Sequence, residues 1–406
     1  MLHEASHRWE ARAAAGDAPP RVFAAHAPLE AEMVPVTAVP ADLREQWQAL
    51  AGMASEPNSF AEPWFVETSL RHFAPRGGAY LLIARSRGEL VGTALFCTAS
   101  RYGRTPVRHV ENWRHHNQFL GAPLIRRGAE ADFWRAALEQ LDAADWASGF
   151  LHVTALAEGG PVHRGLVAAA ASMGRACPVV HRERRPLLHS DLSPEDYFER
   201  NVSKKRRSEY RRLRSRLSEA GRLELRSLED AAQVAPWSEE FLALESAGWK
   251  GEAGSALACT PATAAFFREA IAGAFAAGRL SFLRLDVDRR PIAMLTSFLA
   301  PPGAFGFKSA IDPDFARYSP GMLLQIDNLA ILDQPEIEWT DSCASEQHPV
   351  ASLWSEWRTL VRVSVRLSGF SRGLAYRGAR LIEEGARIAG SRRRPVSSPP
   401  KRGTAR

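Results

Sequence analysis

AYLLIARSRGELVGTALF, residues 79–96, and LSFLRLDVDRRPIAMLTSF, residues 280–298, are the two stretches whose comparison decides the architecture. Each is a pair of apolar runs joined by a short polar turn, the pattern of a β-hairpin. Each places a small residue, Gly92 or Ala293, early in its second strand. The surroundings correspond as well. Helical spacing over 41–54 and 61–73 precedes the first hairpin, and helical spacing over 262–277 precedes the second. After the first come a helix over 131–144, the strand FLHVTAL (150–156) and a helix over 162–173. After the second come the strand GAFGFKSA (303–310) and a helix over 320–332, whose Pro320 sits where a first-turn proline is tolerated. The same order, returning after about 200 residues, is a coarse internal repeat. It predicts a mixed α/β fold of two similar halves.

The bulk properties agree with two cores. The chain has 406 residues, beyond the length at which one core keeps growing, and its eleven tryptophans and nineteen phenylalanines supply the bulk. No run approaches the ~18 apolar residues of a membrane span. The first twenty residues lack the apolar segment of a secretory signal. Cys97, Cys177, Cys259 and Cys343 are far apart, with the spacing of neither a zinc site nor a disulfide framework, so reduced thiols in a cytoplasmic protein are expected. The net charge of +6 belongs to one end. Residues 371–406 hold ten Lys/Arg against two Glu, a balance of +8 that leaves the rest at −2. The expected organisation is a flexible arm over 1–35, an N-terminal half over 36–190, a basic connecting helix over 191–222, a C-terminal half over 223–370, and a basic, partly disordered tail over 371–406. Such a tail is suited to an anionic membrane face, to nucleic acid, or simply to solubility.

Between the halves, Glu199 to Arg222 carries ten Lys/Arg against three Glu, with Leu213 and Leu217 as a narrow apolar stripe and Gly221 as a stop signal. This reads as a helix. Its cations suit RNA, a phosphorylated cofactor or an acidic partner, or else a solvated face on a connecting helix; Tyr210 is the one aromatic among them.

The sequence holds no G-x-x-x-x-G-K-[ST], G-x-S-x-G, H-E-x-x-H or strand-borne G-x-G-x-x-G. His115 and His116 adjoin no clustered carboxylates or cysteines, so no metal is expected. Asp341, Cys343 and His348 form a local cluster, although nucleophilic triads usually converge from distant segments. Three signals lie between Glu245 and Asp341. In ESAGWKGEAG, Trp249 and Lys250 sit among Gly248, Gly251 and Gly254, where backbone can approach a ligand and lysine can meet an anion; a glycine-rich turn anchored by a core tryptophan is the plainer reading. In FGFKSAIDPDFARYSPGMLL, Lys308 ends a strand, Asp312 follows in a loop, and Ser319-Pro320-Gly321 opens a helix beside Arg317. A helix start offers free N–H groups to phosphate, or Ser319 caps its own helix. EIEWTDSCA reads as a strand ending at Asp341, where ligand-binding residues gather in open α/β sheets.

Taken in order, KKRRSEYRRLRSRLSEAG, ESAGWKG, the second hairpin, KSAIDPDFARYSPGMLL and EWTDSCASEQHPVASLW resemble the GNAT acetyltransferases grouped as CelD/BcsL-like, relatives of the FemABX peptidyltransferases and associated by name with cellulose and exopolysaccharide production. The resemblance spans about residues 43–367 and is strongest from Ser203 onward. It implies a tandem GNAT fold and transfer of an acyl group from acetyl-CoA, or another acyl-CoA, to an amino or envelope-saccharide acceptor. It implies a pyrophosphate-cradling loop at Arg317, Ser319, Gly321 and Met322. The family pattern Q/R-x-x-G-x-G/A would put glycine at Pro320; here it falls one residue later. The chemistry then assigns Asp341 as base or acceptor-orienting group, Lys308 to an oxyanion or acceptor anion, and Tyr318 as proton donor to sulfur, with Trp249, Lys250 and Asp312 toward the acceptor. Aminoacyl-tRNA, docked on 199–222, is the co-substrate under the FemABX alternative, and a catalytically degenerate scaffold in polysaccharide export is the non-enzymatic one.

Overall fold

The computed structural model describes residues 29–391 except 41 and 104; the rest of the expected arm and tail lies outside the described residues. The first half runs β1 (Glu30–Pro35), α1 (Leu43–Met53), α2 (Pro63–Phe73), β2 (Ala79–Ser86), β3 (Glu89–Ala99), β4 (His109–Asn112), β5 (Leu124–Ile125), α3 (Glu130–Ala143), β6 (Phe150–Ala157), α4 (Pro161–Ser172) and β7 (Val179–Leu188). α5 (Pro194–Asn201) and α6 (Lys204–Glu219) lead to the second half. It comprises β8 (Leu223–Ser227), α7 (Val234–Ala247), α8 (Trp249–Glu252), α9 (Pro261–Ala276), β9 (Leu280–Val287), β10 (Arg290–Ala300), β11 (Gly303–Ile311), α10 (Pro320–Asp327), β12 (Trp339–Asp341) and β13 (Glu356–Arg366), followed by α11 (Phe370–Ser391).

Both hairpins form, each on a two-residue turn. Arg87-Gly88 and Asp288-Arg289 all take positive φ, the conformation that matches the twist of the flanking strands. In the second turn, which has no glycine, the Asp288 carboxylate accepts a hydrogen bond from the Arg222 backbone N–H at 2.8 Å.

The strands join in one mixed sheet, β1-β2-β3-β4-β6-β13-β7-β12-β11-β10-β9-β8, with β5 off β3. Cut between β13 and β7, this order is symmetric: β1, β2, β3, β4 and β6 correspond to β8, β9, β10, β11 and β12. The last strand of each half is exchanged. β7, from the first half, pairs with β12, while β13, from the second, lies between β6 and β7. The parallel pairs β4·β6 and β11·β12 occupy equivalent places. The two halves also share a core: the Phe60 ring meets Phe298 and Phe305 at 6.1 and 5.6 Å, and Phe65 meets Phe266 at 5.6 Å.

Three expectations are corrected. The basic helix 199–222 is two helices. α5 stops at Asn201, and Ser203 starts α6 in extended conformation, its hydroxyl accepting from the Arg206 N–H, because a serine there serves better as a cap than as helix interior. α6 buries Leu213 and Leu217, and pairs Arg214 with Asp327 on α10. Residues assigned to the arm include β1, whose backbone pairs with β2. Residues assigned to the tail include the 22-residue α11, whose inward side is held where Arg372 donates to the carbonyls of Asp142 and Ala144 at 2.8 and 2.9 Å.

A cavity between splayed parallel strands

β11 and β12 stay paired from Gly303–Trp339 to Phe305–Asp341 and then part. β11 continues to Ile311 while the chain after Asp341 turns away through Cys343, at φ +51. The gap opens on a cavity of about 620 Å³. Its floor is Gly306 to Ile311, its opposite wall Ser342 to Ser345, and its ends are closed by the α7–α8 junction and by α10. A bulge in β11 marks the same place, since Thr296 faces Lys308 but Ser297 faces Gly306. A bulge re-aims the side chains next to it.

The equivalent gap in the first half is shut. After Glu111–His152, the Asn112 amide bridges β4 to β6, accepting from the Thr154 N–H at 2.9 Å and donating to the Thr154 and Gly121 carbonyls at 3.1 and 3.0 Å. Only about 30 Å³ remains beside it. The repeat is therefore open in one half and stitched in the other.

Six of the ten site residues read from the sequence line the cavity: Trp249, Lys250, Lys308, Ser319, Gly321 and Met322. Trp249 does so while 66% exposed, so it stands at the mouth and not in a core. Lys250 is engaged, its Nζ donating to Glu245 Oε1 at 2.8 Å and to the Ser309 carbonyl at 3.0 Å. Glu245 in turn accepts from the Leu257 N–H at 2.7 Å. Lys308 carries the unspent charge. Its Nζ lies 5.3 and 5.6 Å from the ring centres of Phe119 and Phe307, and burial, then the Lys250 charge, push its pKa down to about 8 against the opposing pull of Glu245. Ser319 holds φ +52 and makes no side-chain cap bond, unlike the self-capping alternative. Gly321 is tightly enclosed, since a Cβ there would sit 3.0 Å from Ile311 Cγ2.

The other four lie elsewhere. Asp341 is fully buried beside the cavity, accepting from the Cys343 N–H at 2.8 Å and paired with Arg358 at 3.4 Å, so it fixes the wall and does not face the interior. Asp312 is buried too, capping the 3-10 turn Pro313–Tyr318 through the Asp314 N–H at 3.0 Å and bound by Arg290. Arg317 and Tyr318 line a separate cavity of about 360 Å³ against α6. The Arg317 guanidinium donates to the Tyr318 hydroxyl at 3.0 Å and stacks on its ring. Tyr318 and Lys308 are not brought together, which removes Tyr318 as proton donor to a group held in the main cavity.

The local Asp341–Cys343–His348 cluster is not a triad. Asp341 binds the backbone of Cys343, not His348. The Cys343 thiol is raised well above its ordinary pKa by burial and then by Asp341. His348 lines the cavity with its pKa lowered by burial and by Lys250. Its Nδ1 accepts from the Val350 N–H at 3.2 Å, so the neutral ring carries its proton on Nε2. His115 and His116 fall near Lys308, but His115 is hydrogen-bonded to Ser69 Oγ at 3.0 Å, with its pKa driven down to about 3 by burial first. Among the described residues no group of His, Cys, Asp and Glu is arranged to hold a metal. Sequence reading missed Phe119, which arrives from the first half with no local signal, and Glu245, which looks like any helical glutamate until its 4% exposure is known.

Residues 204–346 match the family model of the acetyltransferase (GNAT) domain, about a third of the chain and the part that holds the open cavity. Among solved structures the chain is similar to FemX, at 9% identity and a TM-score of 0.54, covering 87% of this chain and 100% of that one. It is also similar to a conserved protein of unknown function from Bacteroides thetaiotaomicron, at 10% identity and a TM-score of 0.51, covering 80% and 98%. At such identities the likeness is one of fold. No curated protein matches the chain in sequence. The fold is a tandem, strand-exchanged α/β one, and the part of it that holds the open cavity matches the acetyltransferase (GNAT) domain model.

Proposed function

We propose that the protein transfers an acyl group from an acyl-CoA thioester, acetyl-CoA in the simplest case, to an amino acceptor in the cavity between β11 and β12. The observation that carries this reading is the splay itself, which opens one cavity onto both Lys308 and the start of α10. The residues fit the co-substrate. The cavity has the volume and apolar wall for a pantetheine arm, the uncapped Ser319 and the Gly321 N–H at the α10 start suit its pyrophosphate, and Arg317 flanks that loop on the outer side.

Attack on a thioester needs a nucleophile, a stabilised oxyanion and a proton for the leaving thiolate. The Lys308 ammonium serves the last two. Asp341 acts through the wall that it braces, as a positioning residue. Glu245 is committed to Lys250 and the Leu257 N–H, and the His348 ring already accepts at Nδ1 and carries its proton on Nε2, so neither is free to act as general base. A weakly basic amine, with a pKa of about 8 like an α-amino group, is partly unprotonated near neutrality and attacks without a base, so such an acceptor suits the site better than a hydroxyl. Trp249 at the mouth is placed to cover the entering acceptor. An envelope-polysaccharide amine is the finer form of this proposal, resting on the CelD/BcsL-like resemblance alone.

A second reading has its own observation. Lys204, Lys205, Arg206, Arg211, Arg212 and Arg216 are all exposed on α6, whose inward side packs toward α10. This suits an aminoacyl-tRNA as acyl donor, with the nucleic acid along α6. Two parallel assays separate the readings: release of free thiol from acetyl-CoA with a panel of amines, amino sugars and matching alcohols, and consumption of aminoacyl-tRNA with the same panel. Release well above the protein-free rate with amines, and not with alcohols, is expected. Release with alcohols alone refutes the amine assignment; consumption of aminoacyl-tRNA with no thiol release establishes the second reading instead.

A further inference from the structure

We infer that α11 and the basic segment beyond it dock the protein on an anionic lipid surface. The inward side of α11 is fully used. Ala379 is 2% exposed, Tyr376 meets Phe150 at 5.9 Å between ring centres, and Arg372 holds the carbonyls of Asp142 and Ala144. The opposite side carries an uncovered apolar stripe among the described residues, with the exposed Arg377 beside it. Phe370, Leu374, Leu381 and Ile382 are 86%, 53%, 72% and 42% exposed, half of all the large hydrophobic residues exposed to that degree among those described. Phe370, Leu374 and Leu381 stand at i, i+4 and i+11, one stripe on a helix. A stripe of this kind costs free energy in water at every residue left uncovered.

Charge selects the occupant. The segment 371–406 carries a balance of +8, with Arg392, Arg393 and Arg394 directly after the helix and Lys401, Arg402 and Arg406 beyond. Cations flanking an aliphatic and aromatic stripe match a bilayer whose headgroups are anionic and whose acyl chains take up the stripe. Nucleic acid would meet the cations but has nothing to receive Leu374, Leu381 and Ile382. The helix lies on the surface, since no helix among the described residues is long and apolar enough to cross a membrane. α11 packs on β6 and β13, in the middle of the strand order and on the first-half side of the cut between β13 and β7.

Flotation of the full chain with phosphatidylcholine vesicles, with and without about 30% phosphatidylglycerol, tests this. Binding to the anionic vesicles, absent on the neutral ones and weakened by salt, is expected. Leu374→Glu with Leu381→Glu should lower the bound-to-free ratio by about tenfold or more. Both side chains are exposed, so melting temperature and acyl-transfer rate in solution should hold. Serine at Arg392, Arg393 and Arg394 should weaken binding independently of the helix. Undiminished binding by the double glutamate variant overturns the proposal. So does a wild-type dimer in solution that the same variant converts to a monomer without vesicle binding, which would make a second copy the occupant.

Discussion

Lys308→Ala is expected to lower kcat/KM for acyl transfer by about 10²–10³-fold, the usual loss when one preorganised charge at a developing oxyanion is removed. The same change should not harm the fold. Burial holds the Lys308 pKa near 8 against an ordinary 10.5, so the folded protein disfavours the ammonium. The unfolded chain binds the extra proton between those values, and the stability cost of Lys308 is present in full below pH about 8 and relieved as pH rises toward 10.5. Lys308→Met should therefore raise the melting temperature at pH 7 while abolishing most activity, the mark of a residue kept for function. A protonated lysine acting as electrostatic group or acid also fixes the sign of the pH profile: kcat/KM falls as pH rises through about 8. Lys308→Arg keeps a charge at all accessible pH and should flatten that limb, even if its planar head lowers the rate. An alanine variant within threefold of wild type removes Lys308 from the mechanism.

The second large effect concerns folding. Ending the chain before Ser355 is expected to unfold both halves, not to leave an intact first half. β13 lies between β6 and β7, and Leu360, Val361, Val363 and Val365 are each at most 1% exposed. At roughly 1.5–3 kcal/mol for each buried aliphatic side chain, losing these four alone costs about 6–12 kcal/mol, comparable with the whole stability of a domain. The first half expressed alone, residues 29–190, should likewise show no cooperative thermal transition by circular dichroism. It lacks β13, exposes β6, and leaves Phe60 and Phe65 without Phe298, Phe305 and Phe266. A sharp transition in that fragment would show that the exchange of β7 and β13 is incidental to stability.

The hairpins were legible because each is a local unit whose turn and alternation lie within twenty residues. The exchange was not. EWRTLVRVSVR has the alternation of a strand, but its partners lie about 170–215 residues away in sequence, and alternation does not name partners. VVHRERRPLL, rich in charge and holding Pro186, reads as a poor strand and is made one by β12 and β13 on either side. α11 was hidden for a different reason. Gly373, Gly378 and Gly385 weaken its intrinsic helicity and the arginines draw the eye to charge, while the four-residue spacing of Phe370 and Leu374 carries the helix. At the site, residues close in sequence to the splayed strands were found: Lys308 on β11, Trp249 and Lys250 at the α7–α8 junction, Gly321 on α10. Asp341 was expected at a strand end and is there, but Arg358 and the Cys343 N–H turn it into the protein. The direction of a side chain at a strand end is set by what packs against it, which a single local motif does not encode.

The most direct test of the account is calorimetric titration of the full chain with acetyl-CoA, wild type against Gly321→Val. At Gly321 even a Cβ would meet Ile311 at the cavity wall where α10 begins. A cavity that takes the thioester between β11 and β12, with the pyrophosphate at this turn, predicts dissociation constants on the order of micromolar for the wild type and at least tenfold weaker for the variant. Equal affinity in both proteins would place the co-substrate elsewhere, and no heat from the wild type would contradict acyl-CoA as the donor.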